Sequence, residues 1–130
     1  MNASSSLAAA LLLGLPSVGA AVEYVCPVEK KWNLERTYSE EELARFRFTV
    51  RIEETAAGAF LSRCSYSMIE NRDTCDRYAV DRIAFDERVS LKKYYVFSSQ
   101  FDVQLFRDLR MIENNGRGDF ATGKCTVVSP

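Results

Sequence analysis

The chain has 130 residues, with 17 Lys+Arg against 18 Asp+Glu, no histidine and a net charge of −1. So even a balance excludes nucleic acid as a partner, because displacing counterions from phosphates needs a surplus of basic residues. The missing histidine excludes Ser-His-Asp and Cys-His catalysis and any histidine-held metal.

Residues 1–21 read as a signal peptide that is cleaved. An apolar block from Leu7 to Leu15 is followed by Pro16 and by the small-residue segment Ser17-Val18-Gly19-Ala20-Ala21, which offers cleavage after Ala20 or Ala21. No Lys or Arg precedes the block, and it is shorter than the roughly 20 residues of a membrane span. Residues 22–130 remain as a single β domain, secreted or periplasmic.

Val22 to Val28 is the first extended segment, with Pro27 placing its far end at a sheet edge or at the strand's exit. After the polar passage through Lys30, Lys31 and Trp32, Ser39-Glu40-Glu41-Glu42 has the Ser-x-x-Glu form of a capping box and starts a short helix, about Glu40 to Ala44. From Arg45 the period changes to two. Phe46, Phe48, Val50 and Ile52 then share one face, with Arg45, Arg47, Thr49 and Arg51 on the other.

Ala56-Ala57-Gly58 turns the chain into Ala59 to Met68, where Phe60, Cys64, Tyr66 and Met68 share one parity. The polar cluster Glu70 to Thr74 leads into Cys75 to Phe85, whose parity breaks between Val80 and Ile83. Leu91 to Ser99 is rich in β-formers, and Phe101, Val103 and Leu105 alternate with polar residues. Phe101, Leu105, Leu109 and Ile112 also fit a helical stripe; strand is the reading kept for Phe101 to Phe106. A Gly-rich turn, Asn114-Asn115-Gly116-Arg117-Gly118-Asp119, closes a hairpin between that run and a return run carrying Cys125. Short strands about ten residues apart predict an all-β fold, a small antiparallel barrel or sandwich of seven to eight strands with one short helix.

Four cysteines in a short exported chain read as two disulfides. Three pairings exist. Cys26–Cys125 with Cys64–Cys75 is favoured, since the second pair is close across a polar loop and the first ties the two ends. No Cys-x-x-Cys is present, so neither a metal nor a cofactor is expected.

The remaining candidates are surface groups. Arg45, Arg47 and Arg51 form a basic stripe suited to an acidic partner, or a solvent face paired across strands with Glu23 or Asp102. Arg117-Gly118-Asp119 is an Arg-Gly-Asp tripeptide resembling the integrin-recognition motif, although turn chemistry alone favours these residues. Trp32, Tyr38, Tyr94 and Tyr95 could form an aromatic patch or pack in the core. Asp76, Asp81 and Asp86 recur at a spacing that puts neighbours on opposite strand faces, so they are not expected to converge as a catalytic pair.

Tyr24-Val25-Cys26 near the start and Cys125 in the last strand resemble the ends of the periplasmic inhibitors of c-type lysozyme. The Ser-Gly-x-x-Tyr and Tyr-x-x-Lys-Gly segments with which those inhibitors enter the lysozyme cleft do not stand in this sequence, so no functional residue is carried over. The expectation is an exported binding or interaction module without catalytic machinery, in the manner of a protein-binding inhibitor, that meets another protein of unknown identity. A small apolar-ligand carrier and a carboxylate-dependent hydrolase are the alternatives.

Overall fold

A computed structural model of the chain describes residues 21–128; the leader reading falls on residues that, except for Ala21, lie outside these. In chain order the elements are β1 (Val22–Asn33), α1 (Glu40–Phe46), β2 (Thr49–Thr55), β3 (Gly58–Ser67), β4 (Arg72–Ala79), β5 (Arg82–Asp86), β6 (Leu91–Val96), β7 (Phe101–Phe106), β8 (Arg110–Asn114), β9 (Asp119–Lys124) and β10 (Thr126–Val128). All strands pair antiparallel, in the order β4-β3-β2-β1-β9-β8-β7-β6-β5, with β10 beside β1. The fold is therefore all-β with one short helix and two disulfides. It is a curled half-barrel of nine strands on one path rather than a closed barrel of seven or eight.

The half-barrel is open between β4 and β5, the two ends of the path, which Val80 and Asp81 connect. The Val80 N–H donates to the Ala59 carbonyl of β3 and the Asp81 N–H to the Tyr95 carbonyl of β6, so the linker between β4 and β5 is pinned to both walls while the two strands go unpaired. This is the parity break expected between Val80 and Ile83.

β1 is longer than expected, because Pro27 marks a change of partner and not an exit. Cys26 and Pro27 lie opposite Val50 and Thr49 of β2, whereas Val28 lies opposite Gly123 of β9. The register with β9 then shifts between Val28 and Lys30, a bulge that bends β1 from one wall into the other. Pairing with β9 makes strand of the polar residues Lys30 to Trp32. Gly123 permits this seam: a Cβ there would fall 2.2 Å from the Pro27 carbonyl oxygen.

α1 begins as expected. Ser39 Oγ accepts from the Glu42 N–H at 3.1 Å and Glu42 Oε1 accepts from the Ser39 N–H at 3.0 Å. That backbone N–H, followed by Arg36, holds the Glu42 carboxyl below its ordinary range despite opposing desolvation. The helix continues past Ala44 to Phe46, and Arg47 closes it in the left-handed region with its N–H on the Leu43 carbonyl. Thus β2 starts at Thr49 and not at Arg45. Phe46 and Phe48 fitted a strand face because both pack together near the end of β1, their rings 5.6 Å apart.

The Phe101 run is β7, and strand proves the right reading for it. It does not pair across the Gly-rich turn, however. Leu109 takes a left-handed conformation, its N–H on the Phe106 carbonyl, and Asp108 Oδ1 accepts the Arg110 N–H. That bond lowers the Asp108 carboxyl from its ordinary range. A tight turn here starts β8, and the Gly-rich turn joins β8 to β9. One expected hairpin is two.

The disulfides take the favoured pairing. Cys64 and Cys75 lie opposite each other on β3 and β4, while Cys125, between β9 and β10, joins Cys26 inside the curl. Val50, Ile52, Leu61, Tyr94, Val96, Phe101, Val103 and Met111 fill the interior. The inward parity of β3 is Ala59, Leu61 and Arg63; Phe60 lies on the other face, under the Arg77 guanidinium, 3.8 Å from its ring centroid. No helix among the described residues is long and apolar enough to cross a membrane.

Candidate functional site

The curl brings β2–β3 over β6–β8, and two polar pairs cross the interior above and below the apolar layer. Toward the end where α1 lies, Arg63 Nε of β3 sits 2.5 Å from Glu113 Oε2 of β8 in an ion contact whose N–H is not aligned for a hydrogen bond. Lys31, Ser65, Asp76 and Phe48 complete a polar cleft of about 220 Å³ around them. At the opposite mouth Glu54 Oε2 of β2 accepts from Lys92 Nζ at 3.0 Å and from the Tyr94 hydroxyl, both on β6. Burial, together with the Glu54 carboxylate, pushes the Tyr94 phenol well above its ordinary range. A cleft of about 400 Å³ lies there, among Tyr24, Phe85, Leu105 and Leu109.

Two loops from distant parts of the chain meet beside the first mouth. Asn33, the last residue of β1, lies opposite Asp119, the first of β9. Its Oδ1 accepts from the N–H groups of Glu35 (2.8 Å) and Arg36 (2.9 Å), and its own N–H donates to the Arg36 carbonyl. The following turns are pinned as well, by Tyr38 N–H to Lys31 carbonyl and by a bridge between Trp32 and Thr37. Leu34 stands on this closed loop 87 % exposed.

The Gly-rich tip is held in the same way. Buried Asn115 accepts at Oδ1 from the Arg117 (2.8 Å) and Asp119 (3.0 Å) N–H groups and donates from Nδ2 to Asp119 Oδ2. Gly116, at φ +76°, lies so close to the Gln100 carbonyl oxygen that a Cβ would fall 1.8 Å from it. The Leu34 side chain lies over Gly118, and a shallow cleft of about 280 Å³ runs between the loops, lined by Asn33, Leu34, Glu35, Arg117, Gly118 and Asp119. Trp32 and Phe120 stack close by, with ring centroids 5.7 Å apart.

Of the residues singled out from sequence, the structure gathers some and scatters others. Arg117 and Asp119 flank the shared cleft, yet the Asp119 carboxylate is engaged by Asn115 and the Arg117 guanidinium donates to the Ser99 carbonyl at 3.2 Å. The arginine stripe is not a row. Arg45 is in the last turn of α1 against Phe46, Arg47 bridges to Asp73 at 3.0 Å while lying over Tyr66, and Arg51 pairs with Glu23 at 2.9 Å. Tyr38 packs edge-on against Phe48, Tyr94 is core, and Tyr95 stacks with Phe97. Asp81 Oδ2 accepts the Phe97 N–H, Asp86 Oδ1 accepts the Arg88 N–H, and Asp76 lines the polar cleft. No three His, Cys, Asp or Glu side chains converge on a metal position among the described residues.

Leu34, Arg63 and Glu113 escaped the sequence reading. Leu34 had a faint signal, a large apolar residue between the turn former Asn33 and the charged pair Glu35-Arg36. Arg63 and Glu113 occupy inward-facing positions where alternation expects apolar side chains. No protein-family model, curated protein or solved structure matches the chain.

Proposed function

We propose that this is an exported, non-catalytic binding module that grips another protein with the paired loops Leu34–Arg36 and Arg117–Gly118. The carrying observation is Leu34, a large apolar side chain presented to solvent on a loop whose backbone Asn33 has already locked. A preordered contact loop lowers the entropy cost of association, which is how rigid inhibitors gain affinity. Arg117 at its side favours a partner with an apolar recess flanked by carboxylates. Two disulfides suit an oxidising, extracellular setting.

The carrier reading draws less support. Ile52, Leu61, Tyr94 and Val103 occupy the space a ligand would take, so an apolar molecule at the wider mouth would stop at the Lys92–Glu54 pair. The hydrolase reading has Asp76 and Glu113 in one cleft, but the Glu113 carboxylate is occupied by Arg63.

The test is site-specific photocrosslinking in the native exported fraction, with the reactive group at position 34 or, as a control, at Ala56 in the distant β2–β3 turn. A discrete adduct from position 34 that disappears with Arg117→Glu is expected. Adducts from position 56 with none from position 34 would move the binding surface elsewhere and refute the proposal.

A further inference from the structure

The two free edges of the half-barrel differ in character. β4 carries Arg72, Asp73, Asp76 and Arg77 along its length, the charged edge that keeps strands from adding. β5 carries charge only at its ends, Arg82 and Asp86. Between them lie Ile83 and Phe85, 42 % and 60 % exposed, on the inward face opposite Tyr94 and Lys92. An exposed apolar edge strand with unpaired backbone groups is a template for another strand.

The order of residues in β5 says which strand. A two-fold axis perpendicular to an antiparallel ladder must pass between one residue and its own copy. Centred on Ala84, the axis sets Arg82 opposite Asp86 of the second copy, Ile83 opposite its Phe85, and each of these pairs again by symmetry. Opposite charges thus meet on the outer face, and an aromatic meets a β-branched residue on the inner one, both favourable cross-strand pairs. The neighbouring centres lose this match: an axis at Phe85 opposes Arg82 to Arg88, and one at Ile83 sets Phe85 against Asp81.

Arg82 is free to pair, and Asp86 keeps one carboxylate oxygen within reach of it. Arg82 has no carboxylate within 4.0 Å among the described residues. Asp86 Oδ1 accepts the Arg88 N–H at 3.0 Å, but the Arg88 guanidinium lies at 3.4–3.5 Å from the carboxylate on a side chain 90 % exposed, which leaves Asp86 Oδ2 open to a stronger charge partner. Asp81 and Glu87, which flank the strand, would be opposed in this register. Asp81 is held away from the edge by the Phe97 N–H, and Glu87 is in the turn. We infer that the chain associates with a second copy of itself by antiparallel pairing of β5 with β5 about Ala84, joining two half-barrels edge to edge. The inference stands apart from the proposed loop surface, which is formed by other residues.

Analytical ultracentrifugation of the purified protein from micromolar to millimolar concentration tests it. Wild type is expected to show a reversible monomer–dimer equilibrium, since five paired residues a side make a small interface. Arg82→Asp and Asp86→Arg each place like charges opposite each other twice, and should weaken the dimer by roughly tenfold or more. Mixing the two variants should restore it as a heterodimer, and the double exchange R82D/D86R should restore the homodimer. Near-UV circular dichroism confirms that each variant is folded. A wild type that stays monomeric, a dimer indifferent to either charge reversal, no recovery on mixing, or a purified monomer whose β5 pairs only with a different protein would each overturn the inference.

Discussion

Arg63→Met and Glu113→Gln remove the two halves of one contact, and the structure predicts that they do not cost the same. The Glu113 side chain is 5 % exposed and Arg63 29 % exposed. Arg63→Met strands a carboxylate in the curl with no counter-ion in contact, Lys31 lying elsewhere on the cleft, a loss of about 3–5 kcal/mol for a broken buried pair. Glu113→Gln leaves a guanidinium at the mouth, where it can turn to water, and should cost about 1 kcal/mol. Against a total stability of roughly 5–15 kcal/mol the first is a large fraction and the second is not. The double variant R63M/E113L fills the same space with apolar atoms and should lie near wild type, well short of the summed single costs. Urea unfolding followed by near-UV circular dichroism measures all four proteins. Equal single costs, or a double variant at their sum, would refute the view that the asymmetry of burial governs this pair.

The two disulfides differ in the length of chain they close, 99 residues against 11 in sequence separation. On the loop-entropy account, replacing Cys26 and Cys125 by alanine should cost about 4.7 kcal/mol and replacing Cys64 and Cys75 about 3 kcal/mol. Urea midpoints of the two variants check the order, and a reversal counts against it. Tyr94, whose phenol is raised, contributes stability that is whole below the ordinary phenol pKa of about 10 and is lost as pH climbs past it. Alkaline titration by ultraviolet absorbance should therefore show a phenolate step that coincides with unfolding. Tyr94→Phe should remove that step and cost roughly 1–3 kcal/mol at neutral pH, because Glu54 loses a donor. A Tyr94→Phe protein that titrates like wild type would show that another group governs the alkaline limit.

What could be read in advance was whatever local chemistry decides. Ser39 and Glu42 form a capping box within four residues, β7 alternates cleanly between a buried and a wet face, and the parity slip before Ile83 needs no distant partner to appear. Cys26 and Cys125 could be joined because an exported chain with four thiols leaves few choices. What was hidden depends on partners far away in sequence. Lys30 to Trp32 have no strand pattern of their own and are extended because β9 lies beside them. Phe46 and Phe48 satisfy a helix end and a strand start alike, and a left-handed Arg47 decides between them. The arginine stripe dissolved with that decision, since two of its three members were never in the strand. At the tip, Arg117 and Asp119 were visible, but Leu34 joins them only because β1 and β9 end together.

β1 serves both walls, and its neighbours are made at opposite times. β2 emerges soon after it, whereas β9 and β10 are the last strands of the chain. Until they arrive, the far half of β1 has no ladder and Cys26 no mate. The curl cannot close by growing outward from a finished hairpin, and must instead search across nearly the whole polypeptide for its seam. Such non-local closure puts folding in the slow, millisecond-to-second regime of β topologies. The Cys26–Cys125 bond, once formed, makes that search permanent: reopening under oxidising conditions leaves a ring, in which first and last strands need never look for each other again.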